Sequence, residues 1–597
     1  MDEDTNIQKI DLDKVDWRGS REFFESLGEA LDKLDDHDEA YDFTWVGKRK
    51  SIIEAGAPIN KTFRPDVENS KNWDDTENLF IEGDNLDALK LLQESYLGKV
   101  KMIYIDPPYN TGKDFVYHDN FKSDVEQYDE DTEYKDDEGN IQFKKNEKTN
   151  GRYHSDWLSM MYPRLKLARN LLAEDGAILV SIDYHEHSNL RKLLDEIFGE
   201  DNFQCDFVWL RKTSPKGVPP VNMVVNSQEH ILCYSRTDKF KFLGVPRSKD
   251  GFSNPDGDPR GIWRNTNIKS TIKDKSKAFT ITDPQTGNTF SDAWAFSESS
   301  LNEMISNGQV IFPRNPDGQV RAKEYYHEFK NSNTPLITFL DKYDGQSASD
   351  HLTKIMNGKY FQNPKNVKLI KNLASYLTNS GDLVVDFFSG SGTTAEAVAL
   401  LNAEDGGSRK WIMAQLPEET EVGSEAYLNG YKTIPEISRE RIRRAGDKIA
   451  SEHPDAKVDY GFRALRIDDT NMKDVYRPAT DVQQSMLDDL VDNVREDRND
   501  LDLLFGVLTQ SALELNRPIV ADEIDGATVY RYDYFAEVSG LVACFAPEIS
   551  EQAIKQIAQL RPLTAVFRES SFPDSQAKVN LAEHFRILSP DTKVKVI

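Results

Sequence analysis

The run Val100-Lys101-Met102-Ile103-Tyr104-Ile105 stops abruptly at Asp106-Pro107-Pro108-Tyr109. A short, nearly continuous apolar run of this kind reads as a strand buried on both faces, which belongs in a parallel sheet covered by helices on each side. About 280 residues later the same grammar returns. Leu383-Val384-Val385 leads into Asp386-Phe387-Phe388-Ser389-Gly390-Ser391-Gly392-Thr393-Thr394, and a helical run from Ala395 to Leu401 follows. In open α/β sheets, ligands bind beyond the carboxyl ends of the strands. Two such loops side by side form one site, one holding a cofactor and the other presenting a substrate.

The first loop is stiff. Each proline fixes its own φ and lacks an N–H, and a residue before proline is pushed towards extended geometry. The loop therefore offers acceptors: the Asp106 carboxylate and the carbonyls of Pro107 and Pro108, with the Tyr109 ring behind them. That set suits a planar ring carrying an exocyclic amine. Asp106 and the Pro107 carbonyl accept the two amine hydrogens, which draws the nitrogen lone pair out of conjugation, and Tyr109 stacks on the ring. Fixed acceptors aimed at developing charge are a large catalytic term.

The second loop lets a ligand approach the backbone, because glycine tolerates φ > 0 and has no Cβ. Its N–H groups and the helix start behind it favour a carboxylate or phosphate. With Ala395 at the third small position, a dinucleotide site is not excluded by this loop alone. No G-x-x-x-x-G-K-[ST] run exists in the chain, which argues against ATP.

At 597 residues, two to four domains are expected. No 18-residue apolar run appears, the N-terminus is acidic rather than signal-like, and Cys205, Cys233 and Cys544 form no Cys-x-x-Cys pair, so a cytoplasmic protein without disulfides or metal is expected. His185 and His187 read as surface residues. The net charge is −28, yet residues 209–277 hold 14 bases and 6 acids, a local +8 that would suit nucleic acid. Residues 1–40 carry 14 acids and 5 bases and contain a helix pattern over Glu22 to Leu34; residues 124–147 hold 10 acids and 3 bases and read as a mobile lid. Residues 41–79 read as an extended lead-in, Asp84 or Asn85 as a helix cap, and Pro163 as a kink or restart in the helix after His154. Arg439-Glu440-Arg441-Ile442-Arg443-Arg444 reads as part of a helix that ends the sheet domain, able to touch DNA backbone or to pair with the acidic segments.

The two loops together resemble the catalytic and S-adenosylmethionine loops of the DNA amino-methyltransferases, in the permuted β-class order. The likeness continues through Asn78 to Leu86, Asn150 to Leu158, Tyr162 to Arg169 and Arg441 to Gly446. Over this span the chain is similar to the modification (Mod) subunits of type III restriction–modification systems. The resemblance implies a doubly wound, Rossmann-like α/β sheet with an inserted α+β target-recognition domain and a small α/β C-terminal domain. The expected division is 1–75 arm, 76–210 catalytic half, 211–350 target recognition, 351–456 cofactor half and 457–597 assembly. It implies adenine N6 methylation of duplex DNA, a homodimer, and a separate helicase–nuclease (Res) partner. Asp106, Pro107, Pro108 and Tyr109 are then catalytic. Asp386, Phe388, Ser389, Gly390 and Gly392 hold the cofactor, with Asp84 at its adenine and Asn363 and Lys365 at its methionine end. Gln415 stands where many members carry an acidic ribose ligand. Cytosine N4 methylation, a solitary regulatory enzyme and a catalytically silent DNA-binding subunit remain the alternatives.

Overall fold

The computed structural model describes residues 43–112, 115–116, 144–145, 151–212, 223–271, 278–315, 317–329, 333–473 and 494–597. The acidic helix expected at 22–34 and nearly all of the expected lid at 124–147 lie outside them.

The main sheet has ten strands. In chain order these are β1 (Lys61–Lys71), β2 (Leu79–Glu82), β3 (Val100–Ile105), β4 (Leu172–Ile182), β5 (Phe203–Leu210), β6 (Gln228–Ser235), β7 (Phe339–Leu340), β8 (Leu383–Asp386), β9 (Lys410–Gln415) and β10 (Phe462–Asp469). Their spatial order is β1-β10-β2-β9-β8-β3-β4-β6-β5-β7. The centre from β10 to β4 is parallel. β6 runs antiparallel between β4 and β5, and β1 antiparallel to β10 at the edge.

Alternate side chains of the central strands feed two cores. On one face Leu79, Ile81, Ile103, Ile105 and Val385 meet the helices α2 (Asn85–Tyr96), α3 (Tyr153–Leu171) and α4 (His187–Phe198); α1 (Lys48–Gly56) packs outside them against α3. On the other, Phe80, Met102, Tyr104, Val384 and Met413 meet α5 (Val367–Leu377), α6 (Thr393–Asp405) and Ile442 of α7 (Ile434–Glu452). Burial on both faces is why β3 reads as an unbroken apolar run. A smaller unit lies between β6 and β7. There Trp263–Asn267, Arg321–Tyr325 and Val310–Ile311 form one small sheet, and Ile268, Ile281, Trp294 and Leu301 form a separate core. At the C-terminal end, Ile519–Ile524, Ala527–Tyr532, Leu541–Cys544, Thr564–Phe567 and Lys593–Val596 make a five-stranded mixed sheet.

The structure departs from the sequence reading in four places. The lead-in contains α1 and β1, and β1 belongs to the main sheet. Pro65 masks that strand, yet β1 is an edge strand, where a missing N–H is tolerated. β10, expected in the C-terminal domain, also joins the main sheet, beside β2. β6 and β7, both within the expected inserted domain, belong to the main sheet as well. Finally, α3 does not restart at Pro163 but stays helical through it, with Pro163 buried.

Arg463 explains part of the β10 placement. It is fully buried, and its guanidinium donates to the carbonyls of Trp73 (2.9 Å), Leu515 (3.2 Å) and Arg517 (2.8 Å). A chain ended after residue 456 would strip β10 from both β1 and β2 and expose two ladders of unpaired backbone groups. That fragment is expected to aggregate on expression, while the full chain stays in solution. A soluble, cooperatively melting 1–456 fragment would show that β10 is not part of the sheet's cooperative unit.

Candidate active site

β3 and β8 are hydrogen-bonded neighbours, with Val384 opposite Met102 and Val385 opposite Ile103. Both end at the same edge, so the loops beginning at Asp106 and at Asp386 are brought together.

The first loop is held by side chains from four other segments. Trp157 Nε1 donates to the Pro108 carbonyl at 2.7 Å, and Trp157 itself is fully buried. Asn110 sits in the left-handed region (φ 58°) and is buried; its Nδ2 donates to the Tyr153 carbonyl at 3.1 Å and to Glu186 Oε1 at 2.5 Å. The Tyr153 hydroxyl donates back to the Asn110 carbonyl. The Lys365 ammonium lies in the loop's mouth. Its Nζ is 3.0 Å from Asp106 Oδ1, 2.9 Å from Glu229 Oε2 and 2.5 Å from the Tyr109 hydroxyl. The Tyr109 hydroxyl donates to Glu229 Oε2 at 3.1 Å, and Arg211 pairs with the other Glu229 oxygen at 2.9 Å. Lys365 also lies 4.8 Å from the Tyr109 ring centre and 5.4 Å from that of Trp209.

The charges in this cluster pull in opposite directions. Burial pushes the Asp106 carboxyl up, Lys365 pulls it down, and Glu229 adds a further push, so the net is above the usual carboxylate range. Burial would also raise Glu229, but Lys365 and Arg211 overcome it and hold Glu229 low. Burial disfavours the Lys365 charge, yet Asp106 and Glu229 more than restore it. Burial and both carboxylates push the Tyr109 phenol well above its ordinary value, so it is a hydrogen-bond donor at neutral pH.

The second loop is held as firmly. Asp386 is buried, and both its oxygens are used inside the loop: Oδ1 accepts from the Phe388 N–H at 3.1 Å and Oδ2 from the Thr394 hydroxyl at 2.6 Å. Burial pushes its carboxyl up to about 7, against those two hydrogen bonds. Gln415 accepts from the Gly390 N–H at 2.8 Å through Oε1. Arg441, expected to touch DNA backbone or to pair with the acidic segments, is fully buried beneath the loop. Its guanidinium donates to Ser391 Oγ and Thr393 Oγ1, both at 2.6 Å, and pairs with Glu396 at 2.8 Å. Arg439 pairs with Glu82, and Arg444 with Glu440 at 2.7 Å, so these arginines serve the protein interior and its own helix. Gly390 and Gly392 both have positive φ (52° and 79°), and a Cβ on Gly392 would come within 3.1 Å of Ile442. Gly392 is therefore demanded by packing on α7 as much as by any ligand.

The remaining expected cofactor residues fall as follows. Asp84 caps α2, its Oδ1 accepting from the N–H groups of Leu86 (2.7 Å) and Asp87 (3.3 Å), while Oδ2 lies 3.4 Å from Arg164. Asn85 donates to the Phe387 carbonyl at 3.1 Å and accepts from Arg164 Nε at 2.5 Å, which ties α2 and α3 to the second loop. Asn363 is exposed with a left-handed backbone (φ 51°). Lys365, expected on the cofactor side, reaches the first loop instead. Sequence reasoning missed Glu229, Arg211, Arg164 and the supporting role of Arg441. Ser389 Oγ is buried and has no hydrogen-bond partner among the described residues. Glu418, just beyond β9, is half-buried with its carboxyl raised by burial, and its side chain has no partner among the described residues.

An α/β sheet carrying an acceptor-lined loop beside a glycine loop, at the carboxyl ends of adjacent parallel strands, places two ligand-binding loops in one cleft. The chain belongs to the DNA methylase family, whose model (N6_N4_Mtase) matches residues 100–427. It is 35% identical to the type III restriction–modification enzyme StyLTI Mod subunit of Salmonella typhimurium, over 76% of this chain and 69% of that one. It is 31% identical to the EcoPI Mod subunit of Escherichia phage P1 over 87% and 84% of the two chains, and 29% identical to the EcoP15I Mod subunit of Escherichia coli over 90% and 88%. S-adenosylmethionine is the methyl donor, and the residues present fit it: two glycines with positive φ and the unpartnered Ser389 hydroxyl line one loop.

If Asp106 accepts an amine hydrogen of the substrate, its carboxylate does so more strongly than its protonated form, so methyl transfer should fall as pH drops through its raised pKa. Lys365 is the group that lowers that pKa. Replacing it (Lys365→Met) should move the acid limb of the single-turnover rate to higher pH, measured over roughly pH 5 to 8. An unmoved limb, or one moved to lower pH, would show that Lys365 does not set the Asp106 charge.

Proposed function

We propose that this chain is the modification subunit of a type III restriction–modification system, transferring a methyl group from S-adenosylmethionine to adenine N6 in duplex DNA. The observation that carries the reading is the placement of Asp106-Pro107-Pro108-Tyr109 at the end of β3, beside the glycine loop at the end of β8. The order of these loops in the chain is the permuted, β-class order.

When bound, S-adenosylmethionine supplies an electrophilic methyl group. The chain's own residues do the rest. The target adenine leaves the stack, at a cost of about a few kcal/mol. The Asp106 carboxylate and the Pro107 carbonyl accept its amine hydrogens, which turns the nitrogen lone pair out of the ring, and Tyr109 offers the stacking face. Trp157 and Asn110 hold the loop so that this geometry exists before the base arrives, which is where much of the rate is gained. Phe388, Ser389, Gly390 and Gly392 form the cofactor cradle, and Asp386 positions that loop from within. Asp84 and Asn85 hold the neighbouring helix start. Because Gln415 is committed to the Gly390 N–H, the ribose hydroxyls fall to Glu418. The departure at position 415 is then a change of scaffold and does not silence the site.

The unit between β6 and β7 reads the target sequence. Several of its basic residues are engaged internally: Arg260 and Lys323 both pair with Asp258 (2.8 and 2.7 Å), and Arg264 with Glu324 (2.6 Å). Contacts to phosphate therefore fall to the other cations of the +8 stretch. The C-terminal sheet serves assembly, as a homodimer and with a helicase–nuclease subunit, in the cytoplasm. Among the described residues no helix is long and apolar enough to cross a membrane.

Two measurements test the reading. Nucleoside mass analysis of DNA from cells expressing the chain should show N6-methyladenine, and Asp106→Ala should lower it by about 10²–10³-fold. N4-methylcytosine in its place would move the assignment to cytosine; no methylated base from folded protein would favour the silent subunit. Separately, Glu418→Gln should weaken S-adenosylmethionine binding about tenfold, the worth of one hydrogen bond to a charged group. Unchanged affinity in equilibrium dialysis would remove Glu418 from the ribose site.

A further inference from the structure

His187 opens α4, Asp206 lies on β5 and His230 on β6. In the β5–β6 register Asp206 stands opposite Leu232 and Val208 opposite His230, so Asp206 and His230 are diagonal neighbours on one face of the hairpin. α4 delivers His187 to the same point. His187 Nε2 is 3.0 Å from Asp206 Oδ2, and His230 Nδ1 is 3.1 and 3.0 Å from the two Asp206 oxygens. The imidazole centroids are 4.3 Å apart, and one donor atom from each of the three side chains lies within 4.8 Å of the others. The three side chains are 28%, 27% and 17% exposed, enough to admit water from one side. Asp206 has no lysine or arginine partner among the described residues.

We infer that His187, Asp206 and His230 form a binding site for one divalent cation of the zinc class. The donor set is two imidazole nitrogens and one carboxylate oxygen, which suits zinc and its neighbours and not calcium or magnesium. Bonds of about 2.0–2.1 Å in a tetrahedron put ligand atoms about 3.3 Å apart. The two histidine-to-carboxylate separations of 3.0–3.1 Å need a slight opening, and the histidine-to-histidine edge, within 4.8 Å, is within reach of a small ring rotation. Three protein ligands leave a fourth position for water on the exposed side. The ligands come from one helix and two strands, so the ion would lock α4 to the β5–β6 hairpin. The consequence reaches the methyl-transfer site through one residue: Glu229, the partner of Lys365, adjoins His230 on β6 and points to the opposite face. The site does not depend on which base is methylated. The His-x-His spacing of 185 and 187 was no guide to it, because His185 turns away to Asp183 at 2.9 Å and the other two ligands come from distant strands.

The experiment uses the untagged full chain, stripped of metal by chelation and titrated with Zn²⁺ in a calorimeter and with Co²⁺ by visible absorption. One saturable site per chain is expected, with a Co²⁺ spectrum of low coordination number and a higher Tm in Zn²⁺. His230→Ala and Asp206→Asn should each weaken binding at least tenfold. His187→Gln keeps a hydrogen-bond donor for Asp206 at a partly exposed helix start, so it should fold as the parent does, with the same metal-free Tm, and still lose the site. Equal Zn²⁺ uptake by the parent and His187→Gln would place the ion elsewhere and overturn the assignment. Absence of saturable uptake by the parent would also overturn it, leaving a hydrogen-bonded triad.

Discussion

The parallel pairing of β3 with β8 is the constraint on which the site depends. The register is fixed by residues buried on both faces of the sheet, Ile103 and Val385 towards one core and Met102 and Val384 towards the other. Because side chains alternate, a slip of one residue would send each of these to the wrong core. The same slip would carry the Asp106 and Asp386 loops out of level. The apolar sequence of two short strands thus fixes the relative height of two polar loops that share no sequence neighbourhood.

Within that frame, each loop is immobilised by polar groups from elsewhere. Trp157, Asn110 and Tyr153 hold the first; Gln415, Asn85 and Arg441 hold the second. Buried charges of this kind cost free energy unless they are fully partnered. Arg441 meets that condition with Glu396, Ser391 and Thr393, and Glu396 gains a further partner in His351 at 2.6 Å. Glu396 is consequently held below its ordinary pKa although burial pushes it up. Removing one member would leave its partner stranded, so the support of the glycine loop is a single electrostatic unit.

What could be read from the sequence follows the same division. The two loops, their strands and the helices behind them are contiguous in the chain, and local pattern was enough to find them. The supports are not contiguous. Glu229 and Arg211 arrive on β6 and beside β5, which flank the parallel strands only because β6 runs antiparallel. Arg441 left a trace that was read the wrong way. It lies on the i, i+4 row with Ile437, Ala445 and Ile449, the buried stripe of α7, and a charge on such a stripe signals a buried pair rather than a surface cluster. Arg164 carries the same signature between Met160 and Ala168 on α3. β1 was hidden by Pro65, and β10 by its distance in the chain from β2.

Lys365 shows how the supports and the chemistry are joined. Its ammonium stands 3.0 Å from the very carboxylate that the proposed reaction needs as an acceptor. An ammonium held by Asp106 alone would compete with an incoming amine for the same oxygens. Here Glu229 lies at 2.9 Å and is itself held ionised, and the Tyr109 hydroxyl lies at 2.5 Å. Lys365 therefore keeps a full charge partner and a hydrogen-bond acceptor when Asp106 turns to a base. Lys365 and Arg211 together balance Asp106 and Glu229, and because Glu229 bridges both cations it stays with Lys365 when Asp106 changes partners. In the proposed reaction Glu229 thereby acts on the acceptor amine through Lys365 without touching it.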